Sequence, residues 1–119
     1  MLNSALFAII EEAGTAVMIL GEDVERGEFL ASRLTRSEVQ LQMLIMAGAI
    51  DAVPAESRLL LPELEWDGWG SLRRALHQDR GQAGADDAVW FALRSLVPAT
   101  LMWLQVYRQN QPELFTFTL

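Results

Sequence analysis

At 119 residues, about half of them apolar and a fifth charged, the chain has the length and composition of one globular domain with its own core. It has no cysteine, which excludes a disulfide framework, a thiolate zinc site and a cysteine nucleophile, and is compatible with a reducing compartment. A net charge of −7 argues against non-specific nucleic-acid binding by the whole surface, though one local basic site remains open.

The first predicted helix covers residues 2–20. Apolar residues recur at Leu2, Leu6, Ile9, Ala13, Ala16 and Leu20, with Phe7, Ile10, Val17 and Ile19 on other faces. A helix apolar nearly all round is buried on more than one side, which points to a second copy of the chain as a partner surface. The run at residues 5–10 is too short for a secretory leader, has no basic residue before it, and leads into Glu11 and Glu12. Gly21-Glu22-Asp23 ends this helix. Residues 25–32 form a short polar helical piece anchored by Phe29 and Leu30.

Thr35-x-x-Glu38 reads as a capping box that opens a long helix running to about Val53, before Pro54. Val39, Met43, Met46 and Ile50 make its core stripe, and Leu41, Leu44, Ile45 and Gly48 a second one. One or two helical turns follow at residues 55–61. Pro62 breaks the chain, and residues 66–80 turn helical in their later part. A loop is expected at residues 81–84, with Asp86 or Asp87 capping a last helix to about Arg108. Its face is Trp90, Leu93, Val97, Thr100, Leu101, Leu104 and Tyr107, with a kink or a fresh start at Pro98. The stretch 93–107 holds Arg94 and Gln105 and is too short to span a bilayer. Residues 114–119 alternate like a strand but are expected to fray.

Helices joined by short loops, without βαβ alternation, predict an all-α bundle over residues 1–110 with a C-terminal tail at 111–119. No phosphate loop, cofactor motif, metal-ligand spacing or nucleophile elbow is present. The dense polar cluster is Arg73, Arg74, His77, Gln78, Asp79 and Arg80. Arg73 and His77 stand i, i+4 and Arg74 and His77 i, i+3, so each pair shares a helix face. Arginine suits phosphate, the only histidine suits proton transfer near neutral pH, and a solvated helix end explains the same residues.

Three segments carry a family resemblance. Pro62-Glu63-Leu64-Glu65-Trp66, six further residues and then Arg73 resembles the Pro-Glu-Ile-Pro-Trp … Met-Arg-Asn segment of HepT-like proteins of the HEPN superfamily. Trp90, seven residues and then Pro98 resembles that family's last helix. Glu28-Phe29-Leu30 followed by Arg33-Leu34-Thr35-Arg36 resembles its lead-in to the long helix. The similarity covers residues 25–107.

The resemblance implies an up-and-down bundle of four or five helices, HEPN-like and homodimeric. It also implies a cytoplasmic toxin whose antitoxin is a minimal nucleotidyltransferase. Active members are regarded as metal-independent ribonucleases that use Arg-x4-His-x-Tyr at a cleft between protomers, and the nucleotidyltransferase can modify the tyrosine. Carried over without a gap, Arg73 falls on the family's arginine, and Arg74 replaces the usual asparagine. Gln78 falls on the histidine and Arg80 on the tyrosine, while His77 is one residue early. The family's Gly-Glu pair falls on Ile45-Met46.

Glutamine cannot exchange a proton near pH 7, and arginine carries no phenol. One position on a helix turns a side chain by about 100 degrees. The expectation is therefore a catalytically degenerate, dimeric binding or regulatory partner of a nucleotidyltransferase. The alternative is an active ribonuclease that uses Arg73, Arg74 and a displaced His77, with RNA as ligand. Neither reading involves a cofactor, a metal or a membrane.

Overall fold

The computed structural model describes residues 2–78 and 83–115. Seven α-helices occur among them: α1 (Leu2–Gly21), α2 (Arg26–Ala31), α3 (Arg33–Asp51), α4 (Ala55–Arg58), α5 (Trp66–Gln78), α6 (Ala83–Phe91) and α7 (Val97–Asn110). A π-helical turn, Ala92–Leu96, joins α6 to α7, and a 3-10 turn, Pro112–Phe115, follows α7. The described chain is all-α, a helical bundle without strands.

Contacts along the helices set their directions. Gly21 lies against Leu93, Gly14 against Leu101, Glu11 beside Arg108 and Phe7 on Phe115, so α1 and α7 run antiparallel. α1 packs most extensively on α3, with Gly14 against Met46. The start of α3 lies by α6 through Arg36–Asp86, and its end lies by α5 through Asp51–Arg73.

The core face of α1 coincides with the predicted stripe only in part, at Leu6 and Ala13. Phe7, Ile10 and Val17 are fully buried, whereas Ile9 is 43% exposed and Ala16 and Leu20 are only partly covered. Two neighbours, α3 and α7, select the face that reaches both. On that face Gly14 and Gly21 permit close approach. A Cβ on Gly21 would stand 2.4 Å from Leu93 Cδ1, and one on Gly14 2.7 Å from Leu101 Cδ2. Each fully buried side chain such as Phe7 or Ile10 contributes roughly 1.5–3 kcal/mol.

α3 buries Val39, Met43, Met46 and Ile50, as its spacing predicts, and leaves Leu41 and Ile45 largely outside. Its cap is not the expected Thr35/Glu38 box. Ser32 holds the extended backbone of an N-cap, and its side chain accepts from the Thr35 N–H at 3.4 Å. Glu38 instead accepts from Gln42, one turn further on.

Asp86 and Asp87 are likewise not caps. α6 already begins at Ala83, inside the expected loop at 81–84, whose residues 81 and 82 lie outside the described ones. The two carboxylates instead bind Arg36, at 3.2 Å, and Arg26.

Pro98 does force an adjustment. It lacks an N–H and its ring crowds the carbonyl four residues back, that of Arg94. The turn before it widens, and the Val97 N–H donates to the Ala92 carbonyl, five residues back.

The described part of the tail is packed rather than frayed. The Phe115 ring lies 4.8 Å from that of Phe7, and the Arg108 guanidinium lies 4.6 Å over it. Residues 116–119, the rest of the strand-like alternation, lie outside the described residues.

Two helical stretches, Ser4–Gly21 and Ala85–Asn110, are long and apolar enough to cross a membrane. The second is longer than the residues 93–107 considered from the sequence, because the π turn lets α6 run into α7. Each stretch packs part of its apolar surface inside the bundle, through Phe7, Ile10 and Val17 on one and Leu93, Val97 and Leu104 on the other, and leaves part outside, at Ile9 and Ile19 and at Phe91 and Met102.

Candidate functional site

The polar cluster sits on α5, so the start of that helix fixes its register. Trp66 is the first helical residue, and its indole N–H donates to the Leu61 carbonyl at 3.1 Å. The Pro62–Leu64 loop is strapped to α7. The Glu63 N–H donates to Tyr107 Oη at 3.0 Å, and the Tyr107 hydroxyl donates to the Glu63 carboxylate. Burial pushes the Tyr107 phenol well above its ordinary pKa, and the bond to Glu63 pushes it the same way.

Trp69, one turn into α5, is the helix's main anchor. It is 1% exposed, and its indole donates to Thr100 Oγ1 at 2.9 Å. The Thr100 hydroxyl in turn donates to the Leu96 carbonyl at 2.8 Å. With Leu72 and Leu76 also buried, the inward face of α5 is determined, and so are the directions of the cluster residues.

Arg73, four residues after Trp69, emerges at the edge facing α3. Its guanidinium donates to Asp51 Oδ2 at 2.9 Å. Arg58 completes the group, donating to the Asp51 carbonyl at 2.8 Å and the Val53 carbonyl at 3.0 Å while lying 4.9 Å over the Trp66 ring. Its guanidinium also stands 4.0 Å from the Asp51 carboxylate.

The physical logic is local. A carboxylate at the C-terminus of a helix meets the negative end of the helix dipole, and exposed backbone carbonyls there need donors. Arg58 supplies those donors, and both arginines offset the charge of Asp51. Between these side chains and Ala47, Ile50, Trp69 and Gly70 lies a cavity of about 30 Å³. It has room for about one water molecule, far less than a nucleotide needs.

The remaining candidates do not join this group. Arg74 is exposed and donates to Ser71 Oγ at 3.2 Å, within its own helix. His77 is exposed in the last turn of α5, one turn beyond Arg73. The two share the predicted side of the helix, but Arg73 is turned onto α3. Gln78 is the final residue of α5, and Arg80 lies outside the described residues. Ile45 and Met46 are apolar members of α3, the first on its outer side and the second fully buried. Among the described residues, no group of three or more His, Cys, Asp or Glu side chains is placed to hold a metal.

Asp51 and Arg58 were missed by reasoning along the sequence. The available signal was Asp51 itself, an acid in the last turn of a helix and so in conflict with its dipole until a cation is found. No family model, curated protein or solved structure matches the chain.

Proposed function

We propose that this protein is a catalytically degenerate HepT-like protein of the HEPN superfamily. It acts as a dimeric binding or regulatory partner of a minimal nucleotidyltransferase in the cytoplasm and no longer cleaves RNA. The observation that carries this reading is the state of Arg73. The one residue kept from the Arg-x4-His-x-Tyr pattern is committed to Asp51 at 2.9 Å, while Gln78 and Arg80 hold the histidine and tyrosine positions. Glutamine supplies no proton, arginine carries no phenol, and Arg73 would have to leave its carboxylate to clamp a phosphate.

Two measurements test the whole: capture of a minimal nucleotidyltransferase by the full chain, expected positive, and cleavage of structured RNA, expected absent. Robust cleavage abolished by Arg73→Ala overturns it.

One observation favours the ribonuclease alternative. Arg74 and His77, three residues apart, are both exposed and neither is bound to a carboxylate among the described residues. That reading expects growth arrest on expression, relieved by His77→Ala; undiminished toxicity of the variant removes it.

A further inference from the structure

We propose that the groove between α1 and α7 is a docking site for a basic amphipathic helix of a partner protein. An open hollow of about 490 Å³ lies where the last two turns of α1 pass the π turn and α7. Met18, Ile19 and Leu101 give it an apolar body. Ile19 is 67% exposed, and Met102, next to Leu101, is 51% exposed on the outer side of α7. The helical stretches that meet here are the two apolar enough to cross a membrane, and this face holds apolar surface that the bundle leaves uncovered. Methionine adapts its shape to whatever it meets, which suits a surface that receives a helix.

The rim decides what can sit there. Glu22 and Asp23 close one end of the groove, and Glu12 stands one turn before Thr15 on the same side of α1. All three are exposed, and none has an ion pair among the described residues. The C-terminal end of α1 adds the negative pole of its dipole beside Glu22. On the opposite wall Arg94 lies 5.3 Å over the Trp90 ring, and further along α7 Arg108 is already paired with Glu11. The rim is therefore net acidic. It repels an anionic lipid surface, and a second copy of the chain, itself at −7, brings no compensating charge. A helix with apolar residues on one face and lysine or arginine at its flanks satisfies both parts of the site. Its apolar anchors rest on Ile19 and Leu101 and its cations on Glu22, Asp23 and Glu12.

The acidic end is also held in place. The Glu22 N–H donates to the Ile19 carbonyl at 3.4 Å and the Val24 N–H to the Gly21 carbonyl at 3.3 Å. Carboxylates on a fixed turn cost less to order on binding. The site uses no residue of α5, so it stands independently of the proposed function, whatever protein supplies the helix.

The probe is a synthetic helix of leucine and lysine, amphipathic and about four turns long. It is titrated calorimetrically into the full chain, with a leucine–glutamate helix of the same pattern as control. The lysine helix is expected to bind one-to-one and more weakly as salt is raised, and the glutamate helix not to bind. Ile19→Ser should weaken the lysine helix by about tenfold or more. Reversing the rim with Glu22→Arg and Asp23→Arg together should weaken it by about tenfold and admit the glutamate helix. Phe91→Ser, at an exposed apolar residue on the groove between α5 and α6, should change nothing. Every substituted position is exposed, and circular dichroism checks that the helices persist. No binding, equal binding of both helices, or indifference to Ile19→Ser overturns the inference. So does co-sedimentation with phosphatidylcholine or phosphatidylglycerol vesicles that Ile19→Ser abolishes, which makes the face a lipid contact. A dimer that Ile19→Ser dissociates overturns it too, because a second copy is then the occupant.

Discussion

Replacing Thr100 by Val isolates the bond that holds α5 against α7. Valine keeps the shape of threonine and removes its hydroxyl. The Trp69 indole N–H, on a side chain 1% exposed, then has no acceptor at its 2.9 Å site, and the hydroxyl's own bond to the Leu96 carbonyl is lost as well. A buried donor left unpaired costs about 1–3 kcal/mol. The Leu96 carbonyl keeps a helical partner and adds little. An expected loss of about 2 kcal/mol corresponds to a fall in Tm of roughly 8 °C for a chain of this length. Thermal unfolding followed by circular dichroism reads it directly.

The decisive arm is the double-mutant cycle with Trp69→Phe. That substitution removes the donor and also opens a cavity, so it is costly alone. In its background Thr100→Val should cost under about 0.5 kcal/mol, because no unpaired donor is left behind. Equal costs of Thr100→Val in both backgrounds would refute the reasoning and place the effect of Thr100 elsewhere, in the π turn before Pro98.

Three further outcomes are expected. Asp51→Asn frees Arg73 and should lower stability by no more than about 1 kcal/mol, since the pair is 65% and 42% exposed and screened by water; a loss above about 2 kcal/mol in denaturant titration contradicts that placement. Gly48→Ala, where a Cβ meets nothing within 4 Å in the last turn of α3, should raise stability by about 0.5–1 kcal/mol, whereas Gly21→Ala, which drives into buried Leu93, should lower it by about 1–3 kcal/mol; equal signs in thermal melts would contradict the packing of α1 on the π turn. Tyr107, the only tyrosine, has a folded pKa raised above its ordinary 10.0, so its contribution is full below pH 10 and is lost as pH rises further. Tyrosinate absorbance should therefore rise only together with loss of helical dichroism, and ionisation near pH 10 with the helices intact contradicts the Glu63 strap.

What was legible in the sequence was local. Apolar residues at helical spacing, Pro54 and Pro62 as breaks, and the turn residues after α1 are properties of short segments, and they placed the helices to within a few residues. The inner stripe of α3 followed from the same periodicity, because that helix presents one broad face to the core. Capping was harder to read. Ser32 and Thr35 both carry suitable hydroxyls, and only the backbone angles at Ser32 show which one ends the extended segment.

Tertiary structure decided the rest, because each remaining feature joins residues far apart in the chain. α1 is apolar on nearly every face, so its buried side is set by α3 and α7, and the predicted Ile9 lost to Phe7 and Ile10. Asp86 and Asp87 could have capped a helix, but Arg36 and Arg26, 50 and 61 residues away, drew their carboxylates aside. The same holds at the candidate site. Spacing along α5 put Arg73 and His77 on one side of the helix, yet an arginine's long side chain is directed by the charges within its reach. Asp51, 22 residues back at a helix end that disfavours its charge, holds Arg73 on α3 and leaves His77 in solvent.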